Sequence, residues 1–463
     1  MFETVAVPLW LLMLIVLFAA VTFASHFLFP SVRWFLRRRA ERLVARLNER
    51  LTRPIEPFKL ARRYDMIQRL IYDPEVSQAI IDYAREEGVR EDVAFEKARD
   101  YAREIVPSFS AFAYFGFGIR AARWLATTLY DVRTGTQNRA VIENLPDDAT
   151  VVFVMNHRSN MDYVLVTYLA GEAAALSYAV GEWARVWPLS RLIKSMGAYF
   201  IRRRSRGLLY RRVLARYVDL ATRNGVTQAV FPEGGLTLDG HLAPPKLGLL
   251  SYAVDTHRNG GPNIVFVPVA INYDRVLEDR ILVQAGEAGT RRFKARISVI
   301  LWFILRKIWL RLRGRFLRFG RAAVVYGDPV PMERFADDTE VKDIATALMA
   351  EIGAVMPVLW VPLMCRVLLQ EDRALSEEAL TAAVIAEARL VSAGMLDDLD
   401  DGSEHILAAR KNLEQRHLIT KTSEGWAIKT GEVALIRFYA ASIDHYFAPA
   451  EPKDPVNAAT AGS

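Results

Sequence analysis

Only one cysteine, Cys365, occurs in 463 residues. A single thiol excludes an intrachain disulfide framework and suits a reducing compartment. No internal repeat is present, and nothing implies a metal or a bound cofactor. Helix-turn-helix, zinc-finger and RNA-binding signatures are missing too, so the formal net charge of +7 does not read as nucleic-acid binding. It points instead to anionic lipid or anionic substrates. Charge is also unevenly spread. Thr4 to Val32 contains no Asp, Glu, Lys or Arg, and Arg291 to Arg321 contains no acid.

Each gap carries an expectation about membranes, in a chain whose hydrophobic content is 52%. Val5 to Phe29 is apolar over a length that spans a bilayer, for which roughly 20 residues suffice. It lacks a basic region before it and a small-residue cleavage site after it, so it reads as an anchor rather than a removable signal. Arg33, Arg37, Arg38 and Arg39 follow at once and place the body of the protein on the cytoplasmic side. A buried core helix or a re-entrant helix is the alternative. Between Arg291 and Arg321, arginines alternate with Trp302, Trp309 and an apolar run from Ile297 to Leu305. That pattern predicts an in-plane interfacial helix over 293–319, meeting anionic headgroups.

The expected organisation is α/β, with a mostly parallel sheet and flanking helices. Residues 1–32 form a transmembrane anchor and 33–130 a basic linker and helical domain. Residues 131–335 form the α/β domain, 336–447 a mainly helical C-terminal domain and 448–463 a disordered tail. Apolar runs predict strands at Val151–Met155, Leu176–Val180, Ala198–Ile201, Thr227–Phe231, Ile264–Ile271 and Ala322–Tyr326, with helices between most of them. Pro107 to Tyr130 suits either a helix on the membrane or one buried against the core. Thr420 to Lys429 suits a small hairpin around Glu424 and Gly425. The carboxyl ends of the strands should line the site.

The first such end carries the chemistry. Val151–Met155 leads into Asn156, His157, Arg158 and Ser159, and a helix is expected to begin at Ser159 or Asn160. Asp162 then falls in the first helical turn, where it can reach one imidazole nitrogen of His157 and leave the other to take a proton. No Gly-flanked elbow presents a serine nucleophile. The pattern suits a base that activates a substrate hydroxyl. It equally suits a histidine that only caps the helix.

Asn156-His157-Arg158-Ser159-Asn160-Met161-Asp162-Tyr163 resembles the His-x4-Asp box of the glycerolipid acyltransferases, in the form found in membrane-bound glycerol-3-phosphate acyltransferases. Gly197-Ala198-Tyr199-Phe200-Ile201-Arg202-Arg203 is similar to the Gly-x-x-Phe-Ile-Arg-Arg box of that family. Phe231-Pro232-Glu233-Gly234-Gly235 is similar to its Phe-x-Glu-Gly box, and Val265 to Tyr273, with Pro268, to its Val-Pro-Val/Ile box. Arg437 to Phe447 resembles the Tyr-x-x-Ser-Ile-x-His-x-Phe helix near the family's C-terminus. The third box departs from the pattern: Leu236-Thr237-Leu238 stands where relatives carry Arg-Ser-Arg.

The resemblance implies transfer of a fatty acyl group from acyl-CoA or acyl carrier protein to the sn-1 hydroxyl of glycerol 3-phosphate, at the cytoplasmic face of the cell (inner) membrane. His157 and Asp162 are then catalytic. Arg158, Arg202, Arg203, Glu233, Gly234, Gly235 and Lys246 bind substrate, with Glu233 either holding a hydroxyl or bracing His157. Anionic membrane lipids are partners and nucleic acid is not. Lysophosphatidate, dihydroxyacetone phosphate or another alcohol is the alternative acceptor. A silent membrane scaffold and a thioesterase are the alternatives outside the class.

Overall fold

The computed structural model describes residues 8–18, 38–39, 41–42, 44–135, 138–171, 174–181, 189–202, 207–289, 318–371, 373–396 and 402–447. The chain divides into two units, Met1–Ile55 and Glu56–Ser463. In the first, residues 9–18 are helical, and their apolar side chains, Trp10, Ile15 and Phe18 among them, are exposed. The rest of the expected Val5–Phe29 span lies outside the described residues. Among the described residues no helix is long and apolar enough to cross a membrane. Residues 290–317 also lie outside the described residues, and with them nearly all of the expected interfacial helix. So does the expected disordered tail.

The second unit is built on an α/β sheet. Its strands are β1 (Asp131–Thr134), β2 (Thr150–Met155), β3 (Ser177–Gly181), β4 (Tyr199–Ile201), β5 (Gln228–Val230), β6 (Ile264–Tyr273), β7 (Arg321–Tyr326) and β8 (Val330–Pro331). They lie in the order β1-β7-β6-β2-β5-β3-β4, with β8 paired to β6. Pairing is parallel except where β6 meets β7 and β8. A separate hairpin joins β9 (Ile419–Lys421) and β10 (Trp426–Ile428), as the turn residues around Gly425 predict.

Side-chain alternation explains why helices cover both faces of the sheet. Val151, Phe153, Met155, Val265, Val267, Val269, Ile271 and Tyr273 share one core with Met161 and Leu165 and with C-terminal residues such as Leu363, Ile436 and Phe438. Val152, Val154, Ile264, Phe266 and Ala270 share another with Leu250, Val254, Ile344 and Leu348. The C-terminal helices therefore bury their apolar faces in the same core as β2. Pro268 lies within the buried β6, where a missing N–H is usually costly. Its carbonyl accepts from Gly327 N at 2.8 Å. Its nitrogen faces that same edge, where β6 passes from β8 to β7 and no ladder donor is required.

Ahead of the sheet, helices Arg63–Ile71, Pro74–Glu86 and Glu91–Ile105 pack with Leu208–Arg223 in a third core. Asp73 caps the second of these through Glu75 N, with Pro74 at its first position, and Gly88 takes φ +63° just beyond its end, an ordinary cap chemistry. Phe112–Gly118 is a π-helix that continues into Ile119–Leu129. This segment is helical and packs one side against the core. Tyr114, Ala122, Ala126 and Leu129 are buried, whereas Phe112, Phe117 and Trp124 are exposed.

Candidate active site

β2 delivers Asn156, His157, Arg158 and Ser159 at its carboxyl end, and the helix Met161–Ala170 follows. Asn156 staples the loop to the sheet: its Nδ2 donates to Ile271 O at 2.9 Å and its Oδ1 accepts from Ile271 N at 2.8 Å. His157 Nδ1 stands 2.9 Å from Asp162 Oδ2. The same oxygen accepts from Arg158 N at 2.8 Å and Ser159 N at 3.0 Å, and Asp162 Oδ1 accepts from the Tyr273 hydroxyl. Asp162 is fully buried and His157 only 2% exposed. The carboxylate orients the ring and also organises the first turn of the helix, since Asn160 makes no side-chain cap bond. The imidazole lies against Phe231, ring centroids 4.2 Å apart, and edge-on to Tyr163. With Nδ1 held, Nε2 is the nitrogen left for a substrate proton.

Glu233 braces the loop from the third box. Its Oε1 accepts from His157 N at 2.7 Å and its Oε2 from Ala243 N at 3.2 Å. Both oxygens are thus engaged with backbone amides. Thr237 N donates to His157 O at 3.0 Å, tying the same turn to the histidine. Gly234 has φ +65°, a left-handed conformation that favours glycine, and a Cβ there would make the Lys246 side chain, whose Cδ would lie 2.8 Å away, shift. Gly235 is buried beside it and Lys246 is exposed. Leu236 and Leu238, in place of the family's arginines, are half-buried against the main core.

Burial raises the Glu233 carboxyl to about 7, against the opposing hydrogen bonds from His157 and Ala243 and the charge of Arg158. A carboxyl raised above its ordinary range makes the folded protein take up a proton. Its contribution to stability is present below about pH 4.5 and is lost as pH rises through about 7. Glu233→Gln is therefore expected to flatten the pH dependence of unfolding between those values. The change is on the order of 3 kcal/mol by linkage. Chemical denaturation of both proteins across pH 4.5–8 checks it, and parallel profiles contradict it.

Arg158 is buried at 2% exposure. Its Nη1 donates to Gly240 O at 2.7 Å, and its guanidinium lies over the Phe438 ring at 5.2 Å. Nε and Nη2 are buried with no hydrogen-bond partner among the described residues. Burial pulls its pKa down, with Tyr439, Glu233 and Asp162 acting against it. A guanidinium held without a carboxylate bridge is costly, and it remains able to meet an anion.

Arg202 is placed elsewhere. The sequence suggests that its strand lies beside the His157 loop, yet β4 is at the sheet edge, with β5 and β3 between it and β2. Three strand spacings amount to about 14 Å. Arg202 Nη2 pairs with Glu104 Oε2 at 2.6 Å and Nε with Glu104 Oε1 at 3.0 Å. Its guanidinium lies over Tyr101 and Tyr210. It ties the preceding helices to the sheet edge. Arg203 lies outside the described residues. Two site residues escape the sequence reading, Tyr273 and Glu278. Tyr273 could have been found from parity, since Val265, Val267, Val269 and Ile271 set the face on which it and Met161 fall. Glu278 accepts from Ser159 Oγ at 2.8 Å and Asn160 Nδ2 at 3.0 Å, and no motif points to it. Among the described residues no group of His, Cys, Asp or Glu is arranged to hold a metal ion.

The strand-to-helix turn with its buried His–Asp pair, braced by a glutamate from the third box, lies within residues 139–272, which the Acyltransferase family model matches. The model of the glycerol-3-phosphate acyltransferase C-terminal region matches residues 308–450. The chain thus carries an acyltransferase domain followed by a region similar to the C-terminal part of glycerol-3-phosphate acyltransferases. A protein of Pseudomonas syringae pv. tomato named glycerol-3-phosphate acyltransferase is 29% identical over 282 residues, 60% of this chain and 32% of that protein. A protein of the same name from Aeromonas hydrophila is 28% identical over 284 residues, 60% of this chain and 34% of its own length. The match thus covers about a third of these relatives. A solved 1-acyl-sn-glycerophosphate acyltransferase from Thermotoga maritima is 25% identical, covering 52% of this chain and 78% of that one, with a TM-score of 0.32.

Proposed function

We propose that the protein transfers a fatty acyl group from a thioester, on CoA or acyl carrier protein, to the sn-1 hydroxyl of glycerol 3-phosphate, the first step of phospholipid synthesis. The observation that carries this reading is the His157–Asp162 pair at 2.9 Å, with Nδ1 engaged and Nε2 left for a proton. Nε2 takes the proton of the acceptor hydroxyl as its oxygen attacks the thioester carbonyl. The carbon–sulfur bond breaks, and the imidazolium returns the proton to the leaving thiolate. Asp162 stabilises the imidazolium without itself taking the proton. Glu233 keeps the histidine backbone in place. The acceptor phosphate is met by Arg158, whose Nε and Nη2 have no hydrogen-bond partner among the described residues, and by Lys246 beside Gly234. Arg203 is a further candidate from its motif, whereas Arg202 is committed to Glu104.

Labelled palmitoyl-CoA offered with glycerol 3-phosphate, dihydroxyacetone phosphate, lysophosphatidate, an uncharged alcohol or no acceptor tests the reading. Glycerol 3-phosphate should be acylated fastest. Leu236 and Leu238 remove two cations that relatives supply, and they are the reason for the wide panel. Preference for an uncharged alcohol would move the protein to another substrate class, and free palmitate alone would make it a thioesterase.

The same reading places the enzyme at the cytoplasmic face of the inner membrane. It is supported by the uncharged stretch before Arg33, by the Arg- and Trp-rich run at 291–318, and by exposed Phe112, Phe117 and Trp124 beside exposed Arg120 and Arg123. Deleting residues 1–32 is expected to weaken binding to anionic vesicles without abolishing it, and the residual binding should fall with salt. Flotation assays at low and high salt measure this. A truncated protein that fails to bind at low salt contradicts the second contact.

A further inference from the structure

Glu278 spends both carboxylate oxygens on the loop between His157 and Asp162. Oε2 accepts from Ser159 Oγ at 2.8 Å, and Oε1 accepts from Asn160 Nδ2 at 3.0 Å and Asn160 N at 3.4 Å. Ser159 Oγ in turn accepts from Met161 N at 3.1 Å, at the start of the helix that carries Asp162. The neighbouring residues are gripped from the other side by the C-terminal region. Tyr439, in the helix Val433–Ala440, donates its hydroxyl to Asp279 Oδ2 at 2.6 Å and accepts from Val276 N at 3.0 Å. Arg416 pairs with the same Asp279 oxygen and donates to the Tyr439 hydroxyl at 3.0 Å. The adjacent Phe438 lies under Arg158, and a Cβ on Gly240 would stand 2.0 Å from its carbonyl oxygen.

We propose that Glu278 is a positioning residue for the acyl transfer, and that Tyr439 and Arg416 of the C-terminal region act on the His157 loop through it. The proposal rests on the acyl-transfer reading above. Residues 276–279 form one short segment that the C-terminal helix clamps at Val276 and Asp279 and that holds the His157 loop through Glu278. A carboxylate is suited to this, because it accepts from a hydroxyl and an amide at once, and charged acceptors make the stronger hydrogen bonds. The loop that must hold Nε2 at the acceptor hydroxyl is then as rigid as the C-terminal packing behind it. Misplacement of a catalytic group by about 1 Å can cost about 10²-fold in rate.

The test uses the full chain with Glu278→Ala, Glu278→Gln and Tyr439→Phe. Two readouts are taken: initial rates of palmitoyl transfer to glycerol 3-phosphate, and amide hydrogen exchange in the peptide covering residues 156–163. Glu278→Ala should lower kcat about tenfold or more, leave KM for both substrates within about twofold, and speed exchange in that peptide. Glu278→Gln keeps an oxygen for Ser159 and should recover most of the rate, which separates positioning from simple misfolding. Tyr439→Phe should shift kcat and exchange the same way by a smaller factor. Wild-type kcat in Glu278→Ala, a loss confined to KM, or unchanged exchange in the loop overturns the proposal. If the wild type does not acylate glycerol 3-phosphate, the acceptor reading fails instead. The exchange readout then still decides whether Glu278 holds the loop.

Discussion

Replacing His157 by alanine is expected to lower kcat for acyl transfer by about 10²–10⁴-fold, the usual contribution of a positioned general base. Bound substrate should be little affected, because the imidazole is held by Asp162, Phe231 and Tyr163 and has only its Nε2 edge to offer. KM for acyl donor and acceptor should stay within a few-fold. The removed ring is buried, so a cavity cost on the order of 2–4 kcal/mol accompanies the change, and melting temperatures must be measured beside the rates. His157→Gln fills more of the space and serves as the second variant: it should be as inactive as alanine and closer to wild type in stability. Rates near wild type in either variant, with folding intact, would falsify the base assignment.

Asp162→Asn is expected to damage both rate and fold. From the sequence alone Asp162 has one task, to orient the imidazole. In the structure its carboxylate accepts from His157 Nδ1, Arg158 N, Ser159 N and the Tyr273 hydroxyl. An amide offers one oxygen without charge, and its NH₂ turns toward whichever donors remain. Charge-assisted acceptors are about twice as strong as neutral ones. A loss of roughly 1 kcal/mol per bond over three or four bonds gives about 3–4 kcal/mol of destabilisation. The rate should fall by about 10²-fold or more, because the ring tautomer is no longer imposed. Denaturation curves and kcat on the folded fraction check both parts. Unchanged stability with lost activity would limit Asp162 to the histidine, and unchanged activity would remove it from the mechanism.

What was legible in the sequence was local. The run Val151–Met155 is buried on both faces and reads as a strand without reference to anything else. Asp162 lies within a few residues of His157, so their meeting needs only a helical turn. The third box ends a short strand, and its glycines announce a tight turn. Position across the sheet was not legible. Nothing in Tyr199–Ile201 says that β4 pairs with β3 at the far side of the sheet from β2, so Arg202 reads as a neighbour of His157. Its partner, Glu104, comes from a helix 98 residues earlier. β1 was missed because Asp131-Val132-Arg133-Thr134 is polar, as an exposed edge strand can be, and pairs among the described residues only with β7. β8 is two residues long, too short for any periodicity. Leu236 and Leu238 read as a loss of charge. In the structure they are also a gain of core contact, and a buried cation, Arg158, stands nearby in the loop that Glu233 braces.

Tyr273 and Glu278 show the same boundary from the other side. The alternation of β6 carries enough information to place Tyr273 on the face covered by the helix Met161–Ala170, but not to say that its hydroxyl meets Asp162. Glu278 follows β6 in an ordinary polar turn. Its role depends on Ser159 and Asn160, 119 and 118 residues away, and only the folded chain brings them together.

Mass spectrometry of the product formed from ¹³C-palmitoyl-CoA and glycerol 3-phosphate, with wild type and His157→Ala side by side, tests the central claim most directly. The expected result is 1-palmitoyl glycerol 3-phosphate from the wild type and a yield lower by about 10²-fold or more from the variant. Labelled palmitate without acylated glycerol 3-phosphate, or the same product from His157→Ala at the wild-type rate, would contradict it.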